Sequence, residues 1–259
     1  MRILLTNDDG IDAPGLGCLY DAIKDLGEVH VIAPAKVQSA TSHAVTFHRP
    51  IRVEQKTIGN FTGLAVHGRP ADCTKLAIEE LLDGPVDLVI SGINAGANIG
   101  INVIYSGTVA AAMEAAFIGV PAIAVSLHVG DWENIDWETA AKHALDAIQF
   151  VMSGPLQPHK VVNVNIPILD GGVVPKGIKV VPISHSPMVM KYRQDRDDDG
   201  HQTYEVCNEM EFARHDADTD LDAILQKYIT ITPLHYDLTH EAQMRAWETH
   251  LEKSGRTCV

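Results

Sequence analysis

The chain has 259 residues, 46% apolar and 21% charged. That balance excludes a disordered, collagenous or coiled-coil protein and suits one large or two smaller globular domains. With 20 basic side chains against 34 acidic ones the formal net charge is −14, which excludes attraction of nucleic acid or anionic membrane by the overall field.

Area scaling for this mass predicts a folded surface of about 11,000 Å², enough burial for a core without disulfides or structural metal. No stretch reaches the ~18 uncharged apolar residues of a membrane span. The opening run Met1–Leu5 is cut off by Asn7, Asp8 and Asp9 before it attains the length of a signal-peptide core. Cys18, Cys73, Cys207 and Cys258 contain no C-x-x-C pair and read as reduced thiols. The expected location is therefore cytoplasmic. Aromatic residues are 5% of the chain, too few for a platform that stacks single-stranded nucleic acid.

In chain order, residues 2–6 read as a strand buried on both faces. Pro14 suits the first turn of a helix running to about Leu26, with Gly27 as its C′ residue. Val29–Ala33 is a second buried strand ended by Pro34, followed by a Ser-, Thr- and His-rich loop over 34–48. Ile51–Val53 and Leu64–Val66 read as short strands around a turn at Gly59-Asn60. Pro70 opens a helix to about Leu82, broken by Asp83-Gly84-Pro85. Asp87–Ile90 is the next buried strand, and Ser91–Gly100 reads as a loop because three glycines and two asparagines fall in ten residues. A small-residue helix is predicted from Gly107 to Phe117, a strand from Pro121 to Ser126, and a helix from Trp137 to Met152. Four strand-then-helix units in about 150 residues predict an α/β fold with a doubly wound, mostly parallel sheet. Residues 1–155 are the expected catalytic core.

Residues 156–259 are less regular. Val161–Ile166 and Ile178–Ile183 read as further strands, 184–200 as a polar stretch ending in a solvated acidic loop, Thr219 as the cap of a helix through Tyr228, and Ile229–Thr232 as a strand. This part is expected to complete the core and to supply an irregular oligomerisation arm.

In an open parallel sheet, ligands bind beyond the carboxyl ends of the strands. Asn7, Asp8, Asp9 and Gly10 follow the first strand; Gln38, Ser39, Thr41 and Ser42 lie after the second; Ser91, Asn94 and Asn98 follow the third; Ser106-Gly107-Thr108 opens the next helix. All of these offer oxygen or amide groups. Asp8 and Asp9 read either as a turn before Gly10 or as a hard-cation site, because two adjacent carboxylates resist joint ionisation unless a cation offsets them. Oxygen donors suit Mg²⁺, Mn²⁺ or Ca²⁺ rather than Zn²⁺. Asn94 and Asn98 read as left-handed turn residues or as ligands, and Ser106–Thr108 as a plain N-cap or as an anion site. No dinucleotide fingerprint, Walker loop, G-x-S-x-G elbow or paired-histidine zinc motif is present.

Several ordered segments resemble the SurE family of metal-dependent nucleotidases. They are Ile3–Ile11 with Ala13-Pro14-Gly15, Ser91–Gly96 with Asn98 and Gly100, Tyr105–Ala112, Asn163–Pro167, Thr219–Leu221 and Ile231–Leu234. The resemblance implies a Rossmann-like α/β domain whose C-terminal extension serves oligomerisation, as a homodimer or homotetramer. It implies hydrolysis of nucleoside monophosphates to nucleoside and phosphate, with one Mg²⁺ or Mn²⁺ (or, in crystals, Ca²⁺) held by Asp8, Asp9, Ser39 and Asn94. Asn98, Ser106, Gly107 and Thr108 map to the phosphate side, and Asp8 and Asp9 to catalysis. The chain departs from the family pattern at Lys36–Thr41, at Gly68-Arg69-Pro70 and at Tyr204-Glu205, loops expected to set base preference. The competing readings are a non-catalytic nucleotide or metal sensor and a phosphatase acting through an aspartyl-phosphate.

Overall fold

A computed structural model describes residues 1–196, 199–207 and 211–254. In chain order the elements are β1 (Arg2–Thr6), α1 (Pro14–Ile23), β2 (Glu28–Pro34), β3 (Val53–Ile58), β4 (Phe61–Val66), α2 (Pro70–Leu76), β5 (Leu88–Ala95), α3 (Asn102–Tyr105), α4 (Gly107–Ile118), β6 (Ala122–Leu127) and α5 (Trp137–Met152). They continue as β7 (Val161–Ile166), β8 (Ile178–Val180), β9 (Met188–Val189), β10 (Tyr192–Arg196), β11 (Gln202–Val206), β12 (Glu211–Phe212), α6 (Asp220–Leu225), β13 (Ile229–Leu234) and α7 (Glu241–Lys253).

Nine strands form one sheet in the order β3-β4-β2-β1-β5-β6-β7-β13-β8, parallel through its centre. The antiparallel pairs β3–β4 and β13–β7 lie towards its two sides. This is the α/β, doubly wound arrangement expected from the alternating elements. The unbroken apolar run of β1 has a direct cause: Ile3 and Leu5 enter one core while Leu4 enters the other. The first core takes Leu16, Leu19 and Ile23 of α1 and the alanines of α5. The second takes Ala77, Val109, Ala112, Ala115 and Ala116. Alanine along α4 lets that helix lie close on the sheet, and only small side chains separate them. The chain leaves β1 towards β2 on one side and returns at β5 on the other, so the topological switch point lies between β1 and β5.

Several local expectations need correction. The strand read as Ile51–Val53 begins at Val53 and runs to Ile58; its polar side chains reflect an edge position, where one flank meets water. It turns at Gly59-Asn60 into β4, with Ile58 facing Phe61. Gly27 is not a left-handed cap: its φ is 171°, and glycine is needed because a Cβ would overlap the Met1 carbonyl. The helix from Thr219 ends at Leu225 rather than Tyr228, stopped where Lys227 turns to φ 70°. The strand from Ile178 ends at Val180, two residues before Pro182. The stretch 184–200 contains β9 and β10, which alternation alone did not reveal because both strands are short and β10 is wholly exposed. The acidic run at 195–200 includes Asp197 and Asp198, and the fourth cysteine is Cys258; these lie outside the described residues. Helix α7 was not expected at all.

The most consequential correction is β5, which does not stop at Ile90 but continues through Ser91-Gly92-Ile93-Asn94-Ala95. Pairing with β6 runs from Ser91 opposite Ala124 to Asn94 opposite Ser126, so three steps along β5 face two along β6. This is a β-bulge. Gly92 has φ 148°, and a Cβ there would overlap the Val125 carbonyl, so no other residue fits. The Gly92–Ile93 peptide is cis. Among the described residues no helix is long and apolar enough to cross a membrane.

Candidate active site

Asp8 and Asp9 leave β1 at the switch point. Asp8 is 3% exposed, and its Oδ1 accepts a hydrogen bond from the Thr108 hydroxyl at 2.5 Å. Burial pushes its carboxyl up to about 6, the Thr108 hydroxyl works against that, and the neighbouring charge of Asp9 adds to it. Asp9 is half-buried, and its Oδ2 accepts from the backbone N–H of Ala95 at 3.0 Å. Burial raises its carboxyl as well, and the Ala95 N–H pulls it back. The Ala95 donor comes from the bulged end of β5, so the bulge joins the β5 exit to the β1 exit.

Asn94, 8% exposed, donates its side-chain N–H to the Gly96 carbonyl at 2.6 Å. That bond fixes the amide, and among the described residues no hydrogen bond is donated to Asn94 Oδ1 or Asp9 Oδ1; the backbone N–H groups of Asp8 and Thr108 also act on the Asp8 carboxyl. The loop after β2 closes a further side. Gln38 donates its backbone N–H to the Asp8 carbonyl at 2.7 Å. This sets Ser39, itself exposed, one residue from that contact. Arg69 donates Nη1–H to Gln38 Oε1 at 3.0 Å and steadies the same loop.

Helix α4 starts against Asp8. A Cβ on Gly107 would lie 2.7 Å from Asp8 Cβ and 3.1 Å from Pro70 Cγ, so only glycine allows the helix start to come this near the carboxylate. Ser106 is the N-cap, its Oγ accepting from the Val109 N–H at 3.1 Å. Thr108 is fully buried, with its hydroxyl proton committed to Asp8. Asn98 is fastened on every side. Its backbone N–H donates to Asn165 Oδ1 at 2.7 Å, its carbonyl accepts from Asn163 Nδ2 at 2.7 Å, and its own Nδ2 donates to Ser126 Oγ at 2.8 Å. Asn94, Asp8, Asp9 and the Ser39 loop are thus brought together, with Gly107 and Thr108 at the wall. Asn98 is anchored beneath the loop by β6 and β7.

Sequence reading missed the braces. Asn163 and Asn165 share one face of β7, a polar i, i+2 pair inside an otherwise buried strand, and that spacing was the available signal. Glu114, about two turns into the alanine-rich α4, is 6% exposed and accepts from His43 at 2.7 Å and Lys75 at 3.3 Å. Asp72 accepts from the Thr46 backbone and hydroxyl at 2.9 and 2.6 Å and from the Arg69 N–H at 2.7 Å. Together these pin the loop that carries Ser39.

Among the described residues no group of three or more His, Cys, Asp or Glu is gathered for a metal ion. A cation here would take two carboxylates and fill its shell with amide, hydroxyl and water oxygens. That donor set fits Mg²⁺ or Mn²⁺ and does not fit Zn²⁺. A buried and a half-buried carboxylate beside a helix N-terminus make a place where a dication and an anionic ester would offset one another.

The family model described as "Survival protein SurE" matches residues 3–189. The chain is 43% identical over 241 residues to the 5'-nucleotidase SurE of Syntrophobacter fumaroxidans, covering 93% of this chain and 95% of that one. It is 40% identical to the 5'-nucleotidase SurE of Carboxydothermus hydrogenoformans, covering 97% and 98%. The crystal structure of the SurE protein from Aquifex aeolicus superposes with a TM-score of 0.79 at 36% identity, over 95% of this chain and 98% of that chain. With a matched model over most of its length and relatives this similar end to end, the chain belongs to the SurE family.

Proposed function

We propose that this chain is a divalent-metal-dependent phosphomonoesterase that hydrolyses nucleoside monophosphates to nucleoside and phosphate. Relatives named 5'-nucleotidase at about 40% identity support the reaction class. The observation that carries the reading is the cluster of carboxylate and amide oxygens on Asp8, Asp9 and Asn94 at the switch point, set against the start of α4. Asp8, Asp9, Asn94 and Ser39 would hold the ion. When bound, Mg²⁺ or Mn²⁺ supplies Lewis acidity at the phosphoryl group and acidifies water.

The chain's own groups do the rest. Thr108 holds one Asp8 oxygen still, so the other is presented in a fixed direction. Asp9 is the more accessible carboxylate, and the oxygen that Ala95 leaves free is the acceptor for a proton of the attacking water. The N–H groups and dipole at the start of α4 stabilise charge on the equatorial oxygens, with Ser106 and Gly107 nearest the ester. The Asn163–Asn165 clasp holds Asn98 and the loop around it in one conformation, so little reorganisation is needed during reaction.

Assembly as a homodimer or homotetramer through the C-terminal extension belongs to the same proposal, supported by the unburied helix α7. So does a cytoplasmic location, which suits the unpaired thiols of Cys18, Cys73 and Cys207.

The test is phosphate release from a nucleotide panel with Mn²⁺ or Mg²⁺, then with EDTA. Asp8→Asn and Asp9→Asn are each expected to lower turnover 100-fold or more, about 3 kcal/mol of barrier. Near-normal rates in both variants, or full activity in EDTA, would overturn the proposal.

A further inference from the structure

The loop from β6 to α5, residues 128–136, leaves the same carboxyl edge of the sheet as Asp8 and Asp9. It carries Trp132, whose side chain is 59% exposed. Among the described residues its ring pairs with no other aromatic ring and no cation. The loop beneath it is built firmly. Asp131, just before the tryptophan, accepts from the Glu133 N–H at 3.0 Å and from Asn134 Nδ2 at 2.9 Å, just after it. A Cβ on Gly130 would overlap the Asp170 carboxylate, so the loop's entry is pressed onto the chain leaving β7. Asp136 caps α5 by accepting the Thr139 N–H at 3.0 Å and closes the loop's far end.

The indole reaches the site. A Cβ placed on Gly96 would lie 3.8 Å from Trp132 Cη2 and 3.8 Å from Asn94 Nδ2. The ring edge and the Asn94 amide therefore flank the same glycine, and that glycine offers no side chain to cover the ring. An indole held out of the core by a braced loop, beside a catalytic rim, is a preformed apolar face awaiting a planar ligand.

We propose that Trp132 is the platform on which the nucleobase of the substrate stacks. The inference rests on the nucleotidase reading. With the phosphate at the start of α4, facing the rim formed by Asp8, Asp9 and Asn94, the ribose spans Gly96 and the base meets the indole face. Stacking accepts any base, since every base has a π-face, and it adds to binding without touching the ester.

The experiment compares a nucleoside monophosphate with ribose 5-phosphate, which carries the same sugar and ester without a base. Trp132→Ala is expected to raise KM for the nucleotide about tenfold or more, the effect of losing one stacked base. kcat on the nucleotide and both constants for ribose 5-phosphate stay unchanged. Trp132→Phe recovers most of the loss. Adenosine, which has no ester to hydrolyse, quenches the native protein's indole fluorescence saturably and fails to do so in Trp132→Ala. Equal effects on nucleotide and ribose 5-phosphate, or no effect on either, would overturn the stacking role while leaving the reaction class standing. Absence of phosphate release from every nucleotide by the native chain would instead sink the nucleotidase reading itself.

Discussion

Asp8 occupies a position that is unfavourable for the folded chain when no cation is present. Its carboxyl is almost wholly buried beside a second carboxylate, and among the described residues the Thr108 hydroxyl is its one side-chain donor. Replacing it with Asn keeps the shape and the acceptor for Thr108 but removes the buried charge. Without metal, at pH 7.5, Asp8→Asn is expected to be more stable than the native chain by about 1–3 kcal/mol. At about 2–4 °C per kcal/mol for a chain of this size, a thermal melt in EDTA resolves the difference. Added Mn²⁺ should then raise the native Tm in a concentration-dependent way and leave the variant's nearly unmoved, since only a state that binds the ion is stabilised by it. A variant that melts below the native protein in EDTA would mean that Asp8 is a structural acceptor first. The position of this pair was legible because an apolar run ends abruptly in two acids. The use of Thr108 was not, because a Ser-Gly-Thr helix start looks the same whether its hydroxyl meets a ligand or a neighbouring side chain.

At the level of elements, the long loop between β2 and β3 is fixed mainly by α2 and α4. Glu114 is the main point of attachment. Its burial alone would raise its carboxyl, but hydrogen bonds from His43 and Lys75 more than offset that and hold it below the usual range. His43 also stacks on Phe117 of the same helix at 4.9 Å between ring centres, and Lys75 is shared with Glu79. A carboxyl depressed in the fold contributes stability that is present above its ordinary value and lost as pH falls through the depressed one. Glu114→Gln should therefore cost about 1–3 kcal/mol at neutral pH. The gap to the native chain should close as pH falls through and below the ordinary glutamate value of 4.5. Thermal melts from pH 7.5 down to pH ~3.5 check this, and a gap independent of pH would show that packing rather than charge is lost. The same elements show how far periodicity carries. The helices α4 and α5 and the strands β6 and β7 were readable to within about a residue, because each is long and apolar on the side it buries. The end of β5 was not, because a bulged strand rich in Gly and Asn has the composition of a loop. Its pairing is dictated by β6 rather than by its own residues.

At the level of the whole molecule, the accessible surface is 13900 Å², well above the roughly 11,000 Å² that a monomer of this mass is expected to show. The excess has visible sources. Strands β10 and β11 are exposed at every residue, and α7 has no buried residue. Helix α7 nevertheless carries Met244, Trp247 and Leu251 at helical spacing, with Trp247 63% exposed. A net charge of −14 opposes indiscriminate association, so a stripe of this kind is suited to one specific, complementary surface. The stripe at Met244, Trp247 and Leu251 was available in the sequence as an i, i+3, i+7 spacing, but in so polar a segment three apolar residues do not stand out against the irregular stretch before them. The expected outcome is an oligomer of two or four chains in solution. Ending the chain at Thr239, before α7, should shift the species to a smaller mass on gel filtration with light scattering. Because the arm is remote in sequence from Asp8, Asp9 and Asn94, the truncated protein should keep the ability to bind Mn²⁺ even as it dissociates. A native protein that runs as a single 28.1 kDa chain at all micromolar concentrations would remove the assembly from the proposal. The exposed stripe would then require a partner of another kind.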